Sequence, residues 1–115
     1  MKLSVIIPVF NEAETIFELV ERVRRVPLEK ELVLVDDSSS DGSGEILARL
    51  GADADTTVLS HPVNRGKGVA IATALRAASG DVVVIQDADL EYDPNDFLKL
   101  IEPIEKGVAQ VVYGV

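Results

Sequence analysis

The sequence has no cysteine and no tryptophan, and only one histidine and one methionine. Without thiols there is no disulfide framework and no thiolate metal site, and a single histidine, His61, cannot build a multi-histidine zinc centre. Aromatic residues make up 4% of the chain, which leaves little to stack against nucleic-acid bases. Basic residues are also scarce, 11 against 20 acidic ones, for a formal net charge of -9. That balance argues against nucleic acid or an anionic lipid surface as the main partner of this segment. No apolar run approaches the length of a transmembrane helix, and the stretch from Lys2 to Pro8 is too short for the core of a signal peptide. Together these absences predict a soluble segment in a reducing, cytoplasmic compartment.

At 115 residues with 47% hydrophobic composition, the chain is long enough for one domain with its own core. Short apolar runs alternate with helical patterns. Leu3 to Val9, Leu32 to Val35, Thr56 to Leu59, Val82 to Ile85 and Val111 to Tyr113 read as strands. Between the first two, Asn11 is a plausible N-cap, followed by an apolar stripe of Ala13, Ile16, Phe17, Val20 and Val23 that Pro27 ends. A short helix carries Ile46, Leu47 and Leu50. A later one from about Lys67 presents the small residues Val69, Ala70, Thr73, Ala74 and Ala77, with Gly80 as its C′ residue. A last helix starts at Pro94 or Asn95 with Phe97, Leu98, Ile101 and Ile104, and is broken near Pro103. Strands alternating with helices predict an α/β fold: a Rossmann-like, three-layer α/β/α sandwich around a mainly parallel sheet. Ligands of such sheets bind beyond the carboxyl ends of the strands.

The polar clusters fall at those ends. Asn11 and Glu12 follow the first strand, Asp36 and Asp37 the second, and Asp87, Asp89 and Glu91 the fourth. Val82 to Ile85 is continuous rather than alternating, as in a strand covered on both faces. Carboxylates at two-residue spacing beyond it project to one side, where mutual repulsion calls for a cation. A magnesium or manganese ion bridging to a phosphate is one answer; a wet loop after a strand is the other. Asp36 and Asp37 suit a ribose hydroxyl or base N–H, or the capping of the Ser-rich turn after them. Phe10 suits either a base or the core, Pro8 turns the chain, and Glu12 suits a cleft cation or the helix start. The stretch Asn64-Arg65-Gly66-Lys67-Gly68 lacks the spacing of a phosphate loop, so Arg65 and Lys67 read first as solvated charges, with diphosphate contact the alternative. His61, before Pro62, reads as a surface or turn residue.

Four segments in order resemble the nucleotide-sugar half of the family 2 glycosyltransferases. They are Val5-Ile6-Ile7-Pro8-Val9-Phe10-Asn11-Glu12, Leu34-Val35-Asp36-Asp37-Ser38-Ser39-Ser40-Asp41-Gly42-Ser43, Asn64-Arg65-Gly66-Lys67-Gly68 and Gln86-Asp87-Ala88-Asp89-Leu90-Glu91-Tyr92-Asp93-Pro94. The last is most similar to dolichyl- or polyprenyl-phosphate mannose and glucose synthases. The resemblance implies a GT-A fold and a nucleotide-sugar site. Pro8, Phe10, Asn11 and Glu12 would line the nucleotide pocket, Asp36 and Asp37 would read base and ribose, and Asp87, Ala88 and Asp89 would meet the sugar diphosphate. Asp87 and Asp89, with Glu91 as a further ligand, would hold magnesium or manganese. The implied reaction is inverting transfer of a hexose from GDP-mannose or UDP-glucose to a polyprenyl or dolichyl phosphate.

Two departures qualify the resemblance. Ser38 stands where the family usually has Gly or Asn, so the turn is expected to differ. The usual Ser-Arg-Phe after Tyr113-Gly114 is missing, so residues 1–115 read as the N-terminal part of a longer enzyme. On that reading the segment has little activity alone, its lipid-phosphate acceptor site and catalytic residues lie elsewhere, and an unpaired sheet edge favours self-association. Two rivals remain. A nucleotidyltransferase needs a Gly- and Lys-containing stretch after the first strand, which Pro8 to Glu12 does not supply. A magnesium-binding receiver-like signalling domain needs a phosphoacceptor after the third strand, where Ser60 and His61 stand.

Overall fold

The computed structural model describes residues 2–86 and the strand Val111–Tyr113. The elements alternate as read from the sequence: β1 (Leu3–Val9), α1 (Ile16–Arg25), β2 (Lys30–Asp36), α2 (Ser43–Leu50), β3 (Thr56–Ser60), α3 (Lys67–Ala77), β4 (Val82–Ile85) and β5 (Val111–Tyr113). All strand pairs are parallel and the order is β3-β2-β1-β4-β5. This is the Rossmann order; a receiver-like domain has β1 between β2 and β3 instead, so the topology removes the signalling rival. The order reverses at β1 and β4, the neighbours around which a crevice opens. The last helix expected from Pro94 or Asn95 and the carboxylates from Asp87 to Glu91 lie outside the described residues.

Strand periodicity divides the core. Leu3, Val5, Ile7 and Val9 of β1, with Leu32 and Leu34 of β2 and Val82 and Val84 of β4, pack on one face against Ile16, Leu19, Val20 and Val23 of α1 and Leu47 and Leu50 of α2. Ile6, Val33, Val35 and Ile85 face the other way, onto Ala70 and Ala74 of α3. The burial of both faces explains why the strands read as continuous apolar runs. Small residues bring α3 close to the sheet, at the cost of a thinner core layer. Each large side chain on the α1 face, Leu19 for example, contributes about 1.5–3 kcal/mol by burial.

Several helix expectations shift. Asn11 is not the N-cap of α1; that position is Thr15, and Asn11 has φ 52, a left-handed conformation that Asn tolerates better than most residues. The α1 stripe uses Leu19, not Phe17, because positions 16, 19, 20 and 23 share one face while Phe17 is 58% exposed. Val26, before Pro27, is extended as a residue before proline should be, and ends the helix. In α3 only Ala70 and Ala74 are buried; Val69 and Ala77 are exposed. Gly80 is no helix C′ residue. A Cβ there would lie 2.7 Å from Ser4 Oγ and 2.8 Å from Lys2 O, so glycine is required where the chain passes close to the start of β1. The Gly80 N–H donates to that Ser4 Oγ at 2.7 Å.

Candidate nucleotide-sugar site at the carboxyl end of the sheet

Register aligns the strand ends. Val9 pairs with Asp36 and Asp36 with Ser60, while Ile6 pairs with Ile85. The ladder continues one residue further: Asp37 N–H donates to Val9 O, His61 N–H to Asp36 O and Gln86 N–H to Ile6 O. Residues 10–15, 37–42, 61–66 and the exit of β4 therefore leave the sheet on one side. Gln86 is fully buried, and Asp87 is the next residue along the chain.

The first two loops are sewn together. Asn11 N–H donates to Ser39 Oγ (3.0 Å), Ser40 N–H to Asn11 Oδ1 (2.8 Å), Glu12 N–H to Ser43 Oγ (3.0 Å) and Ala13 N–H to Asp41 Oδ2 (3.0 Å). Ser43 Oγ and N–H both donate to Asp41 Oδ1. The Ser43 hydroxyl, then the Ala13 N–H, hold the Asp41 carboxyl below its ordinary value. Backbone donors that a loop would otherwise leave to water are satisfied between the loops. Ser38 has φ 66, so the turn keeps the left-handed conformation despite lacking Gly or Asn. Such a residue costs on the order of 1 kcal/mol, held in place by the surrounding bonds. Glu12 is half-buried with Oε2 near Thr15 Oγ1 (3.3 Å), a helix-start contact. Pro8 is half-buried, and Phe10 is 49% exposed rather than in the core.

Asp36 and Asp37 are both buried but serve different faces, since adjacent residues leaving an extended strand point oppositely. Asp36 turns toward α2: Oδ1 accepts from Ser39 N–H at 2.9 Å, and a Cβ on Gly44 would lie 3.2 Å from Oδ2. Asp37 turns toward α3. Its Oδ1 accepts from His61 Nδ1 (2.8 Å) and Arg65 N–H (2.9 Å), and its Oδ2 from Gly66 N–H (2.8 Å). Burial alone would raise the Asp37 pKa, but these three donors outweigh it and the carboxyl lies below its ordinary value. Asp36 thus caps the Ser-rich turn through Ser39, whereas Asp37 holds the loop after β3 instead. His61 is buried, not on the surface, with Nε2 2.9 Å from Thr73 Oγ1. Nothing in the spacing pointed to this link, although strand alternation alone directs Asp37 toward the helix that begins after His61.

Among the described residues no three His, Cys, Asp or Glu side chains gather to hold a metal ion. The proposed ligands Asp87, Asp89 and Glu91 lie outside them, as does Ala88. As a donor set they offer only carboxylate oxygen, which suits magnesium or manganese and not a thiolate- or imidazole-seeking metal.

A parallel α/β sheet in this order, with its polar loops at the carboxyl end, defines a Rossmann-like nucleotide-binding class, and its likeness to solved glycosyltransferases makes it the GT-A fold. A sequence model described as glycosyl transferase family 2 matches residues 4–115, and the chain belongs to that family. The undecaprenyl-phosphate 4-deoxy-4-formamido-L-arabinose transferase of Salmonella choleraesuis (strain SC-B67) is 37% identical over 112 residues, covering 92% of this chain and 34% of the relative. The transferase of that name from Proteus mirabilis (strain HI4320) is 38% identical, with the same coverage. Among solved structures, the Pyrobaculum calidifontis mannosyltransferase PcManGT in complex with GDP-Man and Mn2+ aligns with a TM-score of 0.74 at 35% identity, over 84% of this chain and 30% of that one. S. aureus TarS 1-349 with UDP-GlcNAc aligns at 0.74 and 31%, over 86% and 29%. The chain spans about a third of the length of its curated relatives.

Proposed function

We propose that this chain forms the nucleotide-sugar-binding part of a glycosyltransferase that passes a sugar from a nucleotide diphosphate sugar to a polyprenyl phosphate. One observation carries the reading: in a family 2 chain, the loops after β1, β2 and β3 and the exit of β4 converge at the carboxyl end of the sheet. The donor is a GDP- or UDP-hexose, GDP-mannose or UDP-glucose. The polyprenyl-phosphate acceptor is supported by the names of the curated relatives, and a divalent ion by the Mn2+ named with PcManGT.

Each residue has a part in that reaction. Phe10 offers an exposed ring face to the base, beside Pro8, Asn11 and Glu12. Asp36 and Asp37, at the end of β2, accept hydrogen bonds from ribose or base. Asp87, Ala88 and Asp89 meet the sugar diphosphate, and Asp87 and Asp89, with Glu91, would hold magnesium or manganese. When bound, that ion supplies charge neutralisation for the departing diphosphate. In the transfer the bond from the anomeric carbon to the diphosphate oxygen breaks, and one to the acceptor phosphate oxygen forms on the opposite face. The acceptor is already anionic, so none of these residues is required as a general base. Activity of residues 1–115 alone is expected to be slight, and the chain is expected to work in the cytoplasm. No helix among the described residues is long and apolar enough to cross a membrane. Self-association is expected through β3, an edge strand; a light-scattering mass of one chain at every concentration contradicts that.

Calorimetric titration with GDP, UDP and their hexose conjugates, with and without Mn2+, tests the donor reading. We expect binding that Mn2+ strengthens and that Asp89→Ala weakens at least roughly tenfold, the loss of one charge-assisted contact. Absence of binding in Mn2+, or an unchanged affinity in Asp89→Ala, contradicts it.

A further inference from the structure

Three successive backbone N–H groups in the loop after β1 donate to side chains of the loop after β2. Asn11 N–H takes Ser39 Oγ, Glu12 N–H takes Ser43 Oγ and Ala13 N–H takes Asp41 Oδ2, each at 3.0 Å. The acceptors stand at alternate positions, so one short stretch of chain is the template for another. Asp41 is central to it. Its second oxygen, Oδ1, accepts from Ser43 N–H at 3.0 Å and from the Ser43 hydroxyl at 2.6 Å. With the hydroxyl hydrogen aimed at Asp41, the Ser43 oxygen is turned to accept from Glu12 N–H. A single exposed carboxylate thus orders two of the three ties.

The stretch so held has a conformation that the chain does not favour by itself. Asn11 has φ 52, and a left-handed residue other than glycine persists where its surroundings fix it. On the far side, Glu12 O accepts from Thr15 N–H (3.1 Å) and Ile16 N–H (2.9 Å), which anchors the stretch to the start of α1. Phe10 directly precedes Asn11, and its ring is exposed. The backbone of residues 11–13 therefore sets where that ring stands, and Asp41 sets the backbone.

We propose that Asp41 is a positioning residue of the donor site. Through Ala13 and Ser43 it holds residues 11–13 in place before the donor arrives, so that the Phe10 ring is already set to stack on the base. Binding then proceeds without the loss of affinity that ordering a loose loop would bring. The inference rests on the nucleotide-sugar reading above.

Two readouts on the 115-residue chain test this: GDP and UDP affinity in Mn2+ by calorimetry, and hydrogen exchange of the Glu12 and Ala13 amides without ligand. Asp41→Ala is expected to speed exchange of both amides and to weaken binding about fivefold. Phe10→Ala is expected to weaken it roughly tenfold, the loss of one stacked base. Because Asp41 acts through the ring, the double variant is expected to bind within about twofold of Phe10→Ala alone. A side chain that only stabilised the fold would not be coupled to Phe10 in this way. Should Asp41→Ala fail to fold, Ser43→Ala removes the hydroxyl that accepts from Glu12 and enters the same cycle, with a smaller loss of about two- to threefold. Parent-like affinity in Phe10→Ala, in Asp41→Ala or in the Ser43→Ala that replaces it overturns the inference while leaving the donor reading intact. So do losses that multiply in the double variant, or weaker binding with amide exchange unchanged. A parent chain that binds neither nucleotide overturns the donor reading and this inference with it.

Discussion

Both ends of the sheet hold a carboxylate among serine and backbone donors, yet they differ in kind. At the amino end, Glu31 Oε2 accepts from Ser4 Oγ and from both Ser79 N–H and Oγ, and Lys2 N–H donates to Asp81 Oδ2. Desolvation alone would raise the Glu31 pKa, but the Ser4 and Ser79 bonds outweigh it and lower it. At the carboxyl end, Asp36, Asp37 and Asp41 are engaged in the same way. A held carboxylate is therefore no mark of a ligand site. Three other features separate the ends. All four left-handed residues among those described, Asn11, Ser38, Gly42 and Gly66, lie in the loops after strands. The exposed Phe10 ring and the exposed cation Arg65 lie there too. Positive-φ backbone, an exposed aromatic ring and an exposed cation gather where the fold class binds ligands; at the other end the described carboxylates Glu31 and Asp81 are both hydrogen-bonded.

The comparison can be broken by substitution. Asp37→Ala should have the largest effect on stability, since it strands a buried imidazole and two N–H groups; urea unfolding is expected to show a loss of roughly 2–4 kcal/mol. Gly80→Ala, at the amino end, forces a Cβ against Ser4 and the Lys2 carbonyl and should cost about 1–3 kcal/mol with nucleotide affinity unchanged. Asp36→Asn reverses that pattern: a stability change within about 1 kcal/mol, because one Ser39 bond is at stake, but a loss of GDP or UDP affinity of roughly tenfold. Ser38→Gly should be smallest, a gain of at most about 1 kcal/mol from relief of the left-handed serine. A destabilising Ser38→Gly would show that the side chain matters more than the backbone.

Acid should not separate the ends. Asp37 and Glu31 both have folded values below their ordinary 3.8 and 4.5. Their contribution is complete above those values and lost as pH falls through the lower folded ones. Melting temperature is therefore expected to start falling as pH drops into the ordinary carboxylate range and to keep falling until the lower folded values are passed, in the parent more steeply than in Asp37→Asn.

The order of elements was legible because apolar runs and turn residues alternate cleanly, and all five strands fall where the runs are. The α1 face was misjudged at Phe17 because its hydrophobicity outweighed its position, one step off the stripe that Ile16, Leu19, Val20 and Val23 define. Gly80 was misplaced because a close approach between distant segments leaves no local trace. At the site, the convergence of Phe10, Asp36 and Asp37 followed from strand ends alone. The division of labour within Asp36-Asp37 did not, since it rests on strand alternation combined with which face α2 and α3 cover. The interlocking of Asn11 with Ser39 and Ser40 is likewise a product of register between β1 and β2.

The account turns on one end of the sheet binding a nucleotide sugar. Amide chemical-shift mapping of the chain with added GDP-mannose or UDP-glucose in Mg2+ measures that end by end. The predicted result is a shift pattern confined to residues 9–12, 36–43, 61–67 and 86–91, with Lys2, Ser4, Glu31 and Ser79 to Asp81 unmoved. Shifts centred on the amino-end residues, or none at saturating donor, would contradict it.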